Sequence, residues 1–430
     1  MQAKEIAQYA LKALMESGAE KAKCVLTSSE KNELNLEADN INLLRTTFNN
    51  GLGLKVIKGN CIGNISINKT DKDSIDQAVK DVLELAKASQ PDDAHDISPM
   101  QEAAEFSYGV DSPDLDKMYQ RLVEFQQETK KRYPTTILEG CMVDYNRTTS
   151  YILNSNGVDF KETKGSYNFM AMFTSKEDGN VSSFNYDSVS LKNLDKPLIE
   201  TAQFDTLLRQ SGEQTVLKPL EGKFVGDVIV TPNAFDSFLG SYLSYLGDYY
   251  MISGSSVFKD QVGEQIAHES LSISSNPTSE LLADRDFVTS GGYRAEDLKI
   301  IENGKLNTYL LSQYGANKTK LENVRNDANR PFVSAGNKEL AEMIKSVKKG
   351  LLLCRFSGGR PSGNGDFSGV AKNSYYIEDG KIQFPVQEVM VSGNLVEGFK
   401  NITDISSERN ESGSGFIPWV QISGWTVSGK

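Results

Sequence analysis

Ile301-Glu302-Asn303-Gly304-Lys305-Leu306 and Ile377-Glu378-Asp379-Gly380-Lys381-Ile382 carry the pattern that decides the fold of the second half of this chain. In each stretch, apolar residues flank an Asn-Gly or Asp-Gly pair. Such pairs favour two-residue β-hairpins, because these residues tolerate the positive φ angles that the turn requires. Glycines also crowd residues 358–369, where we expect another tight hairpin. The pattern predicts a strongly curved or barrel-like antiparallel sheet with a few helices.

The beginning of this half combines a buried strand with a helix. Val225-Gly226-Asp227-Val228-Ile229-Val230 is a largely apolar run of strand length. Thr231-Pro232 follows it, and proline at the first helical position favours a helix start there. The helix carries apolar residues at helical spacing, namely Phe235, Phe238, Leu239, Tyr242 and Leu246. Residues 211–222 before the strand are polar, so we expect a domain boundary near residue 218.

The first half mixes helices with strands. Apolar residues at helical spacing predict helices over about residues 6–15, 72–88, 112–132 and 197–210, the third starting at Ser112-Pro113. Tight turns are predicted at Asn49-Asn50-Gly51, Lys58-Gly59-Asn60 and Asn154-Ser155-Asn156-Gly157, and a linker over residues 90–112.

The length of 430 residues exceeds one ordinary hydrophobic core. We therefore expect an α+β protein with two domains. Residues 1–217 are predicted to form an N-terminal antiparallel sheet with flanking helices. Residues 218–430 are predicted to form the curved or barrel-like sheet.

Composition argues against several classes of protein. The chain has 58 acidic and 46 basic residues, whereas nucleic-acid binding requires a clustered positive surface, so direct contact with nucleic acid is not expected. The four cysteines form no C-x-x-C pair and are interpreted as reduced core residues. The N-terminus lacks the pattern of a secretion signal, and no apolar run approaches the roughly 20 residues of a membrane span. We expect a cytoplasmic protein without a membrane partner.

Separated stretches of the chain resemble the TldD/PmbA family. Gly51-Leu52-Gly53-Leu54-Lys55-Val56 is similar to the family's glycine-marked hairpin, and Asn154-Ser155-Asn156-Gly157 to its second turn. The two hairpin stretches quoted first, together with Gly363-Asn364-Gly365-Asp366-Phe367, are similar to its repeated hairpin signature. The run from Pro385-Val386-Gln387-Glu388 to Asn401-Ile402 is similar to the segment before its last strand. These stretches sample nearly the whole chain, which is identified as a member of the family.

The resemblance implies a choice between two branches. TldD-like members are metallopeptidases whose zinc is held by two histidines of an H-E-x-x-x-H motif on the first helix of the C-terminal half, and by a cysteine near the C-terminus. Zinc prefers such nitrogen and sulfur ligands. Here the corresponding helix, residues 237–246, contains no His or Glu, and Asn410-Glu411-Ser412-Gly413-Ser414-Gly415 stands where the cysteine is expected. The chain therefore resembles the PmbA/TldE-like branch, which lacks the zinc motif, and no cofactor is predicted.

Neither histidine restores a site. His268 is followed by Glu269, but no second histidine stands at either zinc-motif spacing, so a surface or capping role is favoured. His95 lies in an acidic stretch that is typical of a solvated linker. Ser414 stands between two glycines, which is too short a motif for a nucleophile elbow, and no histidine is assigned as its base. No catalytic residue and no metal ligand is predicted.

Peptide contact is predicted for a small set of residues. The two tyrosines of this set lie on the helix that holds the metal in the peptidase relatives, and a tyrosine ring offers a flat apolar face with a polar tip. For these tyrosines the alternative is core packing. The candidates are Tyr242, Tyr245, Asp366, Phe367 and Ser414.

The resemblance implies a non-catalytic subunit that pairs with a zinc-bearing TldD-like chain. The pair would degrade or mature unfolded peptides, this chain contributing chamber wall and peptide-binding surface. Two alternatives stay open: a stand-alone homodimeric peptide-binding protein, and a peptidase with an unrecognised site around Asp366 or Ser414. Family members are also called modulators of DNA gyrase, and the acidic charge favours an indirect link to DNA.

Overall fold

The computed structural model describes residues 2–37 and 40–429. Its helices are α1 (Ala3–Glu16), α2 (Lys72–Ala88), α3 (Leu115–Arg132), the 3-10 turn Leu198–Glu200, α4 (Phe204–Glu213), α5 (Pro232–Ser244), α6 (Asp248–Ser253), α7 (Gln313–Thr319), α8 (Leu340–Ser346) and α9 (Leu395–Lys400). Its strands are β1 (Lys21–Glu37), β2 (Asn40–Lys58), β3 (Cys61–Ile67), β4 (Ala104–Gly109), β5 (Thr136–Asn154), β6 (Asp159–Glu177), β7 (Asn180–Val181), β8 (Asn185–Leu191), β9 (Lys223–Val230), β10 (Ile273–Ser275), β11 (Leu298–Glu302), β12 (Lys305–Leu306), β13 (Pro331–Val333), β14 (Lys349–Leu353), β15 (Arg355–Gly358), β16 (Asp366–Lys372), β17 (Tyr375–Glu378), β18 (Lys381–Pro385), β19 (Val389–Asn394), β20 (Ile402–Glu411) and β21 (Phe416–Ser428).

The first sheet contains strands β1 to β8. Its order is β3-β2-β1-β5-β6-β4, and β7 and β8 also pair with β6. Its pairs are antiparallel apart from β4, which runs parallel to β6. Apolar residues of α1 and α2 pack on β1 and β2, and those of α3 and α4 pack on β5 and β6. The alternation of side chains along each strand gives the sheet an apolar face for these helices.

The second sheet contains strands β9 to β21. Its main path is β12-β11-β10-β13-β21-β9-β14-β17-β18, and β15, β16, β19 and β20 join beside it. Most pairs are antiparallel, while β9 with β14 and β13 with β21 are parallel. The pairing of β21 with β9 shifts register between Ser423 and Trp425, an irregularity of the kind that bends a strand.

Trp425 fills the core of the second sheet. Its ring lies 4.8 Å from the ring of Phe367 and 5.3 Å from that of Phe238, measured between centroids. Gly393 and Gly398 lie against the indole, and a Cβ added to either glycine would lie 2.6 Å from it. The indole is 2% exposed, so these two positions leave room for hydrogen only.

The two sheets meet at a seam formed by residues 412 and 413. The amide of Ser190, in β8, donates to Ser412 O at 2.9 Å, and the amide of Ala283 donates to Gly413 O at 2.8 Å. Gly413 has a φ of +78°, and a Cβ on this residue would lie 1.9 Å from Ser190 O. Glycine is therefore the residue that fits at position 413. This 412–413 seam fixes the segment before β21 against the edge of the first sheet.

The predicted fold class is confirmed, because the chain is α+β with two largely antiparallel sheets. The Asn303-Gly304 and Asp379-Gly380 hairpins form, and all four residues have positive φ. The helices expected near residues 6–15 and 72–88 form as α1 and α2, and α5 begins at Pro232 as expected. The boundary between residues 217 and 218 stays a prediction. In the described residues, no helix has the length and apolarity that a membrane crossing requires.

Other local predictions are wrong. No turn forms at Asn49-Asn50-Gly51, because β2 continues through these residues and pairs with β1. The expected linker over residues 90–112 contains β4, which pairs with β6. Pairing with the preceding strand β1 overrides the turn signal in the first place, and pairing with the distant strand β6 overrides the linker signal in the second.

Two helix boundaries also differ from the prediction. Helix α3 is capped by Asp114 instead of Ser112, and the Asp114 side chain accepts a hydrogen bond from the amide of Lys117 at 2.9 Å. The helix expected over residues 197–210 is divided into the 3-10 turn and α4. Ala202 lies between them with a φ of +45°, and a residue in that region cannot continue a right-handed helix.

Replacing Gly398 by alanine should destabilise the protein, because the new methyl group meets the buried indole of Trp425. Overpacking of this kind costs about 1–3 kcal/mol of the free energy of unfolding. Gly240→Ala is the matched control, since it also lies in a helix but a Cβ there meets nothing within 4 Å. Alanine should leave stability unchanged at this position or raise it by up to about 1 kcal/mol. Urea unfolding measures both, and equal midpoints for the two variants would contradict the packing of Trp425.

Candidate functional site

A cavity of about 1050 Å³ lies between the two sheets. The first half contributes residues of β5, β6, β8 and α4 to its wall. The second half contributes the outer face of α5, the start of β15 and residues from Glu408 to Trp419. The 412–413 seam lies at this wall, so one of the contacts between the two sheets also shapes the cavity.

Helix α5 has one face in the core and one face toward the cavity. Phe235 and Phe238 are buried in the core of the second half. Asn233, Asp236 and Gly240 fall at helical spacing on the opposite face, and they are exposed and line the cavity. The cavity face of α5 is therefore polar and carries one carboxylate.

Asn233 is the centre of a hydrogen-bond network on this wall. Its Nδ2 donates to Asp187 Oδ1, in β8, at 3.3 Å. Its Oδ1 accepts from Gln203 Nε2 at 3.2 Å and from Asn410 Nδ2, in β20, at 3.3 Å. The network thus joins the first sheet, α5 and the strand that leads into the 412–413 seam.

Several oxygen atoms of this wall have no hydrogen-bond partner. Asp187 Oδ2, Asn410 Oδ1 and Gln210 Oε1 are buried acceptors without a donor, and each of these residues is 7% exposed. Most buried polar groups in folded proteins are hydrogen-bonded, so unpaired ones require an explanation. All three residues line the same cavity.

Burial shifts the acidity of the carboxylates in the cavity. Desolvation raises the pKa of Asp187 to about 6, and hydrogen bonds from the amides of Ser188 and Gln203 and from Asn233 only partly oppose this. Desolvation also raises the pKa of Asp236, although this residue is exposed to the cavity, because protein surrounds the carboxylate on its other sides. Near neutral pH the carboxylate of Asp187 is largely ionised and carries a charge.

The other charged groups of the wall are already paired. Arg355 donates to Phe184 O at 2.7 Å and lies over the Phe184 ring. Arg209 pairs with Glu213. Glu408 accepts from the amide at the start of α8 at 3.1 Å.

The pairing of Asp144 completes this set. Asp144 accepts from Asn168 Nδ2 at 3.0 Å and lies 3.6 Å from Lys31 Nζ. Among the described residues that line the cavity, Asp187, Asp236 and Glu408 thus have no ion-pair partner, and Glu408 is held by the amide at the start of α8.

These residues do not fit the zinc that the resemblance implies for peptidase relatives. The cavity face of α5 and the adjoining segment offer amides, hydroxyls and the carboxylates of Asp236 and Glu408, whereas zinc prefers imidazole and thiolate. Cys354 lines the cavity, but burial raises the pKa of its thiol to about 12, which keeps it protonated. Within residues 2–37 and 40–429, no three His, Cys, Asp or Glu side chains are grouped to hold a metal ion.

Three of the predicted peptide-contact residues lie in the core. Tyr242 is buried, stacks on Phe399 and donates its hydroxyl to Ile266 O at 2.8 Å. Tyr245 is buried and donates to Ser362 O at 2.7 Å. Phe367 packs on Trp425. These three rings pack in the core and do not line the cavity. For the two tyrosines, core packing is the alternative stated in the sequence analysis.

The other two candidates are more accessible. Ser414 lines the cavity, and its Oγ lies 3.1 Å from Ser412 Oγ. Asp366 is exposed, accepts from Asn394 Nδ2 at 2.9 Å and from Asn364 Nδ2 at 2.8 Å, and these bonds lower its pKa. Asp366 therefore stabilises its own loop. Peptide contact by Ser414 and Asp366 stays a prediction.

The histidines lie away from the cavity wall. His268 Nδ1 accepts from the amide of Ser270 at 3.2 Å, as expected for a capping histidine. His95 stacks on Tyr314 with 5.1 Å between ring centroids and is only partly exposed, so it is not a solvated linker residue.

The sequence did not identify Asp187, Asn233 and Gln210 as site residues. Asn233 directly follows Pro232 on the predicted helix, and its spacing to Asp236 and Gly240 is a signal for a polar helix face. Asp187 lies in a strand whose residues alternate between buried and exposed positions, and it belongs to no sequence motif. The network of Asp187, Asn233 and Asn410 exists only because three distant segments meet.

The chain is similar to known proteins along its whole length. A Haemophilus influenzae protein called metalloprotease PmbA homolog is 24% identical over 98% of this chain and 96% of its own length. A Methanothermobacter thermautotrophicus metalloprotease is 31% identical over 49% of this chain and 50% of that protein.

Solved structures share the fold over the whole chain. The TldE structure from Thermococcus kodakarensis is 16% identical, covers 99% of both chains and has a TM-score of 0.82. The structure of a Bacteroides thetaiotaomicron protein, described as a candidate modulator of DNA gyrase, is 22% identical with a TM-score of 0.85 over 99% of both chains. At these identities the likeness shows a common fold.

Family models match two separate parts of the sequence. Residues 222–429 match the PmbA/TldA metallopeptidase C-terminal domain, and residues 22–86 match the PmbA/TldA metallopeptidase domain 1. The matches cover the second sheet with its cavity helix and the N-terminal strands of the first sheet. Together with the relatives of similar length, they show that the chain belongs to the PmbA/TldD family.

Proposed function

We propose that this chain is a non-catalytic, TldE-like subunit of a TldD/TldE-type metallopeptidase. It pairs with a zinc-bearing TldD-like chain and contributes chamber wall and peptide-binding surface. The partner carries out hydrolysis, and the substrates are unfolded peptides that are degraded or matured.

One observation carries this proposal. The chain keeps a cavity of about 1050 Å³ between its sheets, while amides and hydroxyls occupy the wall where the resemblance implies zinc ligands in peptidase relatives. Binding sites for small ligands have volumes of roughly 300–1000 Å³, so this cavity has room for a segment of peptide. A chamber without hydrolytic groups is what a binding subunit requires.

The polar groups of the wall support peptide binding. An extended peptide offers N–H donors along its backbone, and three buried acceptors of this wall, Asp187 Oδ2, Asn410 Oδ1 and Gln210 Oε1, have no partner in the ligand-free protein. Hydrogen bonds to the backbone give affinity without selecting side chains. Such recognition suits a protein that handles unfolded peptides of many sequences.

The side chains near the cavity do not favour hydrolysis by this chain alone. Ser414 contacts Ser412, and neither histidine lines the cavity. A serine nucleophile requires a neighbouring base to accept its proton. A peptidase with its own site therefore has less support than the subunit.

Mixing the purified chain with a zinc-bearing TldD-like chain from the same organism should yield a stable complex that cleaves unfolded peptides. The chain alone, with zinc added, should not cleave them, because its cavity lacks the ligands that activate water. Size-exclusion chromatography followed by a peptide-cleavage assay measures both. Cleavage by the isolated chain would contradict the proposal. Failure to form a complex, together with peptide binding by a homodimer, would favour the stand-alone alternative.

Filling the cavity should reduce the activity of that complex without preventing its assembly. Gly240→Trp places a large side chain in the cavity from a position where a Cβ meets nothing within 4 Å. We expect at least roughly tenfold lower kcat/KM, the effect of losing about 1.4 kcal/mol of interaction energy. Gly240→Ala is the matched control and should retain activity. Equal activity of the two variants would contradict a role of this cavity in handling the peptide.

A further inference from the structure

Asp187 and Asp236 are carboxylates of the cavity that lack a cation. Asp187 Oδ2 has no hydrogen-bond partner, and Asp187 is 7% exposed. Asp236 faces the same cavity from α5, and no ion pair reaches it among the described residues. A buried carboxylate without a partner is costly, so proteins usually pair such groups. A ligand with a positive charge would supply the missing partner.

The hydrogen-bond network also determines what else faces the cavity. An ionised carboxylate accepts hydrogen bonds and cannot donate them. The Asn233 side chain must therefore turn its donor Nδ2 toward Asp187 Oδ1. Its Oδ1 then points the other way and accepts from Asn410 Nδ2. Asn410 Oδ1 is the atom left over, and it has no partner. The carboxylate thus orients two amides so that an acceptor remains at the far end of the network.

All of the unpaired atoms of this wall named here are acceptors. Gln210 Oε1, from α4, is a third buried oxygen without a donor, beside Asp187 Oδ2 and Asn410 Oδ1. No buried donor of the cavity-lining residues is left without a partner among those described. A group that complements the wall must therefore donate several hydrogen bonds and carry positive charge.

We propose that the Asp187–Asn233–Asn410 network binds a protonated primary amine of the peptide that occupies the cavity. An ammonium group supplies a positive charge for the carboxylate of Asp187 and a donor for its unpaired Oδ2. The amine comes either from the peptide's free N-terminus or from a lysine side chain. This inference rests on the proposed peptide-binding function and adds the chemical group by which the peptide is held.

The geometry favours an ammonium over other cations. A guanidinium binds a carboxylate best through two parallel hydrogen bonds to both oxygens. Here Asp187 Oδ1 already accepts from the amide of Ser188 at 2.9 Å and from Asn233, and the amide of Gln203 also faces the carboxylate, so the two oxygens are not both open to a guanidinium. A metal ion is disfavoured, because the described residues contain no cluster of three His, Cys, Asp or Glu ligands.

The test measures binding of three short unstructured peptides to the full chain by fluorescence anisotropy. One peptide is lysine-free with a free N-terminus, the second is its N-acetylated form, and the third is N-acetylated with a single lysine. Acetylation should weaken binding roughly 10- to 100-fold, the effect of losing a hydrogen-bonded charge. If the lysine restores binding, the site accepts either amine, and if it does not, the site requires the free N-terminus.

Asp187→Asn tests whether this network is responsible. The variant should weaken binding of the free-amine peptide to the level of the acetylated one, and it should not change binding of the acetylated peptide. Asp178→Asn is the matched control, because Asp178 lies in an exposed turn with a φ of +50°, a conformation that asparagine also tolerates. This control should bind all three peptides like the wild type.

The Asn variant should also fold. Burial raises the pKa of Asp187 to about 6, above its value in the unfolded chain, so ionisation of this group destabilises the ligand-free protein as the pH rises toward neutrality. Asp187→Asn should therefore melt at the same or a higher temperature than the wild type at about pH 8, and the difference should shrink as the pH falls and vanish well below about pH 4, where the carboxyl group is protonated in both the folded and the unfolded state.

The outcomes separate the two claims. Equal binding of free and acetylated peptides by the wild type would overturn the amine site and leave peptide binding intact. The same loss for both peptides in Asp187→Asn would also overturn it, since the effect would then not depend on the amine. If none of the peptides binds to the chain or to its complex with the zinc-bearing partner, both the amine site and the proposed function are wrong.

Discussion

The backbone hydrogen bonds of the 412–413 seam are the contact on which the site depends. The amides of Ser190 and Ala283 hold the carbonyl groups of Ser412 and Gly413, and the close approach to Ser190 O leaves no room for a side chain at Gly413. The seam fixes the end of β20 beside the edge of the first sheet. Asn410 is thereby brought to Asn233, and Asn233 to Asp187.

The cavity combines this geometry with an unusual charge balance. Its arginines are engaged by neighbouring groups, whereas Asp187 and Asp236 have no cation. An unpaired carboxylate lowers the stability of the ligand-free protein and strengthens binding of a cationic group, because the ligand removes that penalty. Peptidase relatives are expected to hold zinc at this wall. In this chain the same wall is suited to a cationic hydrogen-bond donor.

The sequence predicted the features that depend on neighbouring residues. The Asn303-Gly304 and Asp379-Gly380 hairpins form because the positive φ angles are a local requirement. The predicted turn at Asn49-Asn50-Gly51 is wrong because these residues continue β2 and pair with the preceding strand β1, which a reading of the local residues alone does not include. Tyr242 and Tyr245 had the spacing of a core face. The polar face of α5 could be identified as a cavity wall only from the structure, because the opposite wall comes from the first half of the chain. Asp187 carries no motif, so the site could not be found before the two sheets were brought together.

The central claim is that this cavity binds a peptide and does not hold zinc. Its most direct test is the metal content of the purified full-length chain, prepared without a metal-binding tag and measured by mass spectrometry beside a zinc-bearing TldD-like chain prepared in the same way. We predict stoichiometric zinc in the TldD-like chain and only trace zinc in this one. Stoichiometric zinc in this chain, lost when Asp187 or Asp236 is replaced by asparagine, would contradict the claim.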